Sequence, residues 1–200
     1  MCTAVTFLNE DFYFGRTLDL EGTYGEEIVI TPRNFSLSFR QCPDLCRHYA
    51  IIGMAHVRNG YPLYYDGANE AGLCMAGLNF PGFARYQKSN ADKDNVAAFE
   101  FVPWVLGQCA TVAEVRDLLK GLQLTGDPFS PDLPTTELHW IIADRTECII
   151  VEPMESGIQI HENPVGVLTN SPPFDDQLLS LQNHMHLSPD PAHNHLSQKL

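Results

Sequence analysis

Cysteine is the second residue of the chain, and that position gives it chemistry the other cysteines lack. A small residue after the initiator Met1 normally permits removal of the methionine. Removal would leave a thiol and a free α-amine on the same residue. The unperturbed pKa of an α-amine is about 7.7–8.0 and that of a cysteine thiol about 8.5. Both can therefore reach useful protonation states near neutral pH, and Cys2 would supply nucleophile and base together. Arg16 and Asp19 follow a short β-rich stretch that reads as a hairpin, so a returning strand would bring them back beside Cys2. An arginine there can lower the thiol pKa and hold an anionic group. An aspartate can accept a hydrogen bond from the α-ammonium. Asn79, in the run Ala76–Gly82, and Asn170, in the run Val167–Asp175, each stand at a strand end before a proline break. An Asn side chain or neighbouring N–H at such a place can stabilise a developing oxyanion.

These residues need rigid elements to carry them. Residues 3–8 alternate and are rich in β-formers, 9–11 are turn residues, and a strand resumes at Phe12. Further strands are expected at 26–31, 34–39, 49–56 and 71–79, with Gly60, Pro62 and Gly67 as punctuation. The polar stretch 84–95 reads as a surface loop and 99–107 as a short helix. Thr111-x-x-Glu114 is a capping box ahead of Val115, Leu118, Leu119 and Leu122, which predicts an amphipathic helix over 112–122. Residues 126–134 hold three prolines and read as a loop. A hairpin is expected from 138–143 and 147–152, with strands at 158–160 and 166–170. Strands at both ends with helices between them indicate an α+β layered domain, without repeats or a linker.

Composition narrows the function. The 200 residues carry a formal net charge of −13, which disfavours nucleic acid and anionic membrane surfaces. No apolar run approaches the ~20 residues of a membrane span. No basic, apolar leader follows Met1, so a cytoplasmic location is expected. The cysteines at 2, 42, 46, 74, 109 and 148 are then expected to be free thiols, with Cys74, Cys109 and Cys148 in apolar runs as core residues. Cys42-x3-Cys46 lies near His48 and His56, but no second ligand pair follows at a zinc-site spacing. The histidine-rich stretch Leu178–Leu200, with His184, His186, His193 and His195, reads as exposed helix and loop. No metal or cofactor is expected. A papain-like pairing would need a histidine beside the nucleophile, and His48, His56, His139 and His161 show no orienting partner in the sequence.

The block Met1–Glu21, the two Asn segments, Tyr24–Asn34 and Leu138–Asp144 together closely resemble the choloylglycine hydrolase family, the bile salt hydrolases and penicillin V acylases. The resemblance runs over residues 2–200 as a single domain, with several long motifs in the family's order. It implies a four-layer αββα sandwich of the N-terminal nucleophile hydrolase class. It implies hydrolysis of a linear amide with Cys2 as nucleophile and its α-amine as proton shuttle. Arg16 and Asp19 match the family's active-site Arg and Asp, and Asn79 and Asn170 match its two Asn positions, Asn79 contributing to the oxyanion hole.

Penicillin V acylases often carry Tyr where this chain has Asn79, so the implied substrates are glycine or taurine conjugates of bile acids. The alternatives are a penicillin V or N-acyl-homoserine-lactone acylase, and a catalytically silent fragment. A steroid body calls for apolar walls, for which Leu18, Phe80, Phe129 and Leu133 are the candidates. A chain at −13 repels an anionic substrate at long range, so arginine must act within a Debye length of ~8 Å. The resemblance also implies a homotetramer. Family members run beyond 200 residues and carry a further active-site Arg in a Gly-rich motif that no stretch here matches. The sandwich is therefore expected to be incomplete at the C-terminus.

Overall fold

The computed structural model describes residues 1–184. Its elements in chain order are β1 (Thr3–Leu8), β2 (Phe12–Thr17), β3 (Glu26–Thr31), β4 (Ile51–Arg58), β5 (Tyr61–Tyr64), β6 (Asp66–Asn69), β7 (Cys74–Asn79), β8 (Asp94–Ala97), α1 (Phe101–Gln108), α2 (Val112–Leu119), β9 (Leu122–Thr125), β10 (Leu138–Ala143), β11 (Cys148–Met154), β12 (Gly157–Glu162), β13 (Val167–Thr169) and α3 (Phe174–Gln182). One turn of 3-10 helix, Ala98–Glu100, leads into α1.

Two antiparallel sheets face each other. The larger has the order β12-β11-β10-β7-β6-β4-β3, with β5 also paired to β4; the smaller has the order β13-β1-β2. The runs Leu138–Ala143 and Cys148–Met154 are apolar almost throughout because their sheet is buried on both faces. Met75, Trp140, Ile142, Ile149 and Val151 face the helices, joining Phe101, Val105 and Leu106 in one core. Ala76, Leu78, Ile141 and Ile150 face the small sheet and pack with Cys2, Ala4, Leu168 and Phe174 in a second. Alternating residues of the central strands thus serve two cores.

Helix α1 lies against β4, β6 and β7. Buried Asn69 anchors its end: the side-chain amide donates to the carbonyls of Leu106 (2.8 Å) and Cys109 (2.6 Å), and Oδ1 accepts from the N–H groups of Ala71 and Leu73. The capping box at α2 forms by a variant route. Thr111 Oγ1 accepts from Glu114 N at 3.2 Å, but the Glu114 carboxylate reaches Ala110 N rather than the cap's own N–H. In the small sheet, β13 closes on β1 at Gly166. Its φ is +66°, and a Cβ there would lie 2.5 Å from Thr6 Oγ1, so only glycine fits.

The layers run helix, sheet, sheet. Among the described residues no helix covers the outer face of the small sheet, where Val5, Phe7 and Tyr13 are exposed. Three differences from the sequence reading have local causes. Residues 34–39 form no strand but a single bridge, Leu37 to Leu45, because Ser36, Ser38 and Arg40 leave the segment a surface connection. The stretch read as glycine and proline punctuation holds β5 and β6. Pro62 is tolerated because β5 is a short strand paired to β4 alone. The loop at 84–95 ends in β8, which pairs in parallel with β9. Of the C-terminal histidines only His184 is described; His186, His193 and His195 lie outside the described residues.

Candidate active site

The hairpin β1–β2 sets the site. Its register pairs Thr3 with Thr17 and Ala4 with Arg16. Side chains alternate along a strand, so Cys2, Ala4 and Arg16 all project to the inner face. Cys2 is 4% exposed, and its thiol lies 3.8 Å from the backbone carbonyl of Asp19. The carboxylate of Asp19 pairs with the α-ammonium of Met1. That contact holds the ammonium above its ordinary pKa, chiefly through the Asp19 hydrogen bond.

Arg16 crosses between the sheets. Its Nη2 donates to Gly77 O at 3.0 Å and its Nη1 lies 3.3 Å from Asp66 Oδ2. Nε is buried with no partner among the described residues. Asn79, the last residue of β7, sits opposite Leu138.

Cys2, Arg16 and Asn79 line one cavity of about 550 Å³. The walls are mainly apolar: Leu18, Leu63, Phe99, Val102, Phe129 and Leu133 all contribute. Phe129 lies edge-on to Phe99 at 5.3 Å and tilted against Tyr61 at 5.9 Å, so the 126–134 loop is fixed by ring packing. Leu63 and Tyr65 come from the β5 region that the sequence reading passed over; the alternation in Tyr61-Pro62-Leu63-Tyr64 was the available signal. His56 Nδ1 and Trp140 Nε1, from residues of the same wall, are buried without partners among the described residues.

Three expected placements change. Phe80 is not a wall residue. It is fully buried, with its ring stacked on His139 at 4.3 Å, because β7 ends one residue earlier and the chain turns it inward. Asn170 is not among the residues lining the cavity; it follows β13, half-buried, and its Oδ1 is buried with no partner among the described residues. His139 and His161, which looked unpartnered, are paired. His139 Nδ1 lies 3.0 Å from Glu152 Oε1 and its Nε2 2.8 Å from Thr169 O. With both nitrogens engaged, His139 is not free to act as a base toward Cys2.

Four of the other thiols are poor nucleophiles. Burial raises Cys42 and Cys74 to about 11, and Cys109 and Cys148 to about 12. Cys42 Sγ donates to Asn95 O, and His48 is engaged by the carbonyls of Phe35 and Tyr49. These two are committed to the fold rather than to a metal.

Known proteins resemble this chain in sequence and fold. The family profile of linear amide C–N hydrolases, choloylglycine hydrolase family, matches residues 2–200. A bile salt hydrolase/transferase of Lactiplantibacillus plantarum is 48% identical over 200 residues, all of this chain and 62% of the relative. A conjugated bile acid hydrolase of Lactobacillus gasseri is 40% identical over 96% of this chain and 62% of its own length. The chain thus spans about six-tenths of the curated relatives it matches. A mutant conjugated bile acid hydrolase from Clostridium perfringens superposes with a TM-score of 0.89 at 36% identity, over 96% of this chain and 60% of that one. Penicillin V acylase from Agrobacterium tumefaciens shares the fold, with a TM-score of 0.76 at 22% identity over 92% of this chain and 57% of that one.

Proposed function

The chain belongs to the choloylglycine hydrolase family of linear amide C–N hydrolases, and from that premise we propose that it hydrolyses the amide bond of glycine- or taurine-conjugated bile salts. The observation that carries this reading is the shared wall of Cys2, Arg16 and Asn79 with a mainly apolar cavity of about 550 Å³. A steroid amide needs both parts, an apolar chamber for the rings and a nucleophile at its wall. The relatives named as bile salt hydrolases support the substrate class.

In this reading Met1 is removed and the α-amine of Cys2 takes the thiol proton. The thiolate attacks the amide carbonyl carbon, and the electron pair moves onto oxygen. Asn79 or a neighbouring N–H stabilises that oxyanion. Collapse breaks the C–N bond, and the α-ammonium returns its proton to the departing amine. Water, deprotonated by the same amine, then cleaves the thioester. Asp19 orients the α-amine, and Asn170 belongs to the site as the match to the family's second Asn position. Leu18, Phe129 and Leu133 bound the steroid. A cytoplasmic setting and a homotetrameric assembly belong to the same reading. No helix among the described residues is long and apolar enough to cross a membrane, and light scattering on the purified chain tests the assembly.

The test is glycine release from glycocholate by the purified, Met-processed chain, with penicillin V in parallel. Release that is lost in Cys2→Ala is the expected result. Cleavage of penicillin V alone would move the assignment to the acylases. No turnover of either by a folded, processed chain would overturn it.

A further inference from the structure

Besides Asp66, which meets Arg16, the inner face of the large sheet carries a second polar cluster. Continuing the β10–β11 register of Trp140 with Val151 sets His139 opposite Glu152, and β11–β12 pairing sets His161 opposite Ile150 on that same face. The side chains of His139 and Glu152 are both completely buried. A buried ionisable pair is costly unless its geometry is well satisfied, so its presence calls for a role.

The contacts of the pair converge on one segment, residues 169–175. His139 Nε2 faces the carbonyl of Thr169, which can only accept, so Nε2 carries a proton and donates. Glu152 Oε1 meets His139 Nδ1 and also accepts the N–H of Phe174 at 3.0 Å. Thr169 and Phe174 are the two ends of the loop that carries Asn170. From the other side Gln177 closes the loop: its Nε2 donates to Asn170 O at 2.8 Å and to Pro172 O at 2.7 Å, and its Oε1 accepts from Thr169. The backbone on both sides of Asn170 is therefore held, while the buried Asn170 Oδ1 has no partner among the described residues. Behind Glu152, Oε2 stands 3.4 Å from His161 Nε2, longer than a well-formed bond, and His161 Nδ1 lies 3.2 Å from Asp175 at the surface.

We propose that His139 and Glu152 are positioning residues that hold the 169–175 loop so that Asn170, opposite Cys2 on the continued β1–β13 register, keeps a fixed orientation, its Oδ1 unpaired among the described residues. The proposal rests on the site reading above for the role of Asn170, but not for the clamp itself. The Nε2–H of His139 toward Thr169 is the deciding contact.

Two substitutions separate the two nitrogens of His139. His139→Gln keeps an amide donor at the reach of Nε2; His139→Asn keeps one only at the reach of Nδ1. The side-chain amide resonance of Asn170 is followed by NMR in each, together with kcat and KM for glycocholate. Displacement of a positioned group by about 1 Å can cost up to ~100-fold in rate, so His139→Asn is expected to lower kcat at least about tenfold with KM little changed. His139→Gln is expected to restore most of that loss. The Asn170 resonance is expected to shift or broaden in His139→Asn and stay near wild type in His139→Gln. Should His139→Asn not fold, His139→Phe, which keeps the ring's bulk and removes the donor to Thr169, replaces it with the same expected loss. An unperturbed Asn170 in a folded His139→Asn or His139→Phe variant overturns the clamp. An inactive wild type with a perturbed Asn170 in the variant overturns the bile-salt reading and leaves the clamp standing.

Discussion

Arg16 Nη1 lies 3.3 Å from Asp66 Oδ2, a pair that ties the small sheet to the large one beneath the nucleophile. Their side chains are only 6% and 17% exposed. Removing one partner of a buried pair leaves the other charged and unpaired, at a cost of about 3–5 kcal/mol. Asp66→Ala is therefore expected to unfold at markedly lower urea concentration than wild type, and Arg16→Leu in Asp66→Ala to recover part of the loss. A double variant no more stable than the single one would show that the pair does not couple the sheets.

The Met1 ammonium occupies the carboxylate of Asp19. While it does so, Cys2 has no free α-amine. Turnover is expected to track the fraction of chains that lack Met1, measured by intact mass. Asp19→Asn, applied to processed chain, is expected to lower kcat more than it raises KM. Full activity in an unprocessed chain would remove the α-amine from the mechanism.

The four raised thiols make a prediction about pH. A raised pKa keeps the thiol protonated and unreactive at neutral pH. Alkylation of the folded chain at neutral pH is expected to spare Cys42, Cys74, Cys109 and Cys148 and to modify exposed Cys46. Cys2→Ala is expected to abolish turnover and Cys74→Ala to leave it largely intact. The same shifts carry stability. An unfolded thiol ionises near 9.0 and these folded ones near 11 to 12. Their contribution is fully present below pH 9 and is lost as pH rises through the folded values. The thermal midpoint should fall across that window, and a flat midpoint there would contradict the burial.

Phe129 and Phe80 separate wall from core. Phe129→Ala removes apolar contact with substrate that is made in ground and transition state alike, so KM should rise about tenfold with kcat nearly unchanged. Phe80→Ala empties a fully packed position and should cost about 3–5 kcal/mol of stability instead. A KM effect confined to Phe80→Ala would return it to the wall.

Much of this was legible in the chain. The alternation of residues 3–8, the capping box at Thr111 and the apolar runs at 138–143 and 147–152 declare their elements locally, because each pattern matches the period of the structure it forms. Residues 61–69 did not. Their strands are short, broken by proline and glycine, and exist because β4 and β7 supply partners. Phe80 read as a wall residue because it follows Asn79; only the turn after β7 decides that its ring goes inward.

The sequence by itself determined the chemistry available: a cysteine one methionine from the amine end, an arginine returned to it by a hairpin, and asparagines at strand ends. Local spacing suffices for that, since strand alternation and hairpin register act over a few residues. The tertiary structure decided which groups meet across long separations. It paired Arg16 with Asp66, closed loop 126–134 over residues from β5, and set His139 against Glu152 behind Asn170. Those meetings depend on two sheets packing face to face, and burial between them, not sequence spacing, selects which polar groups must find one another.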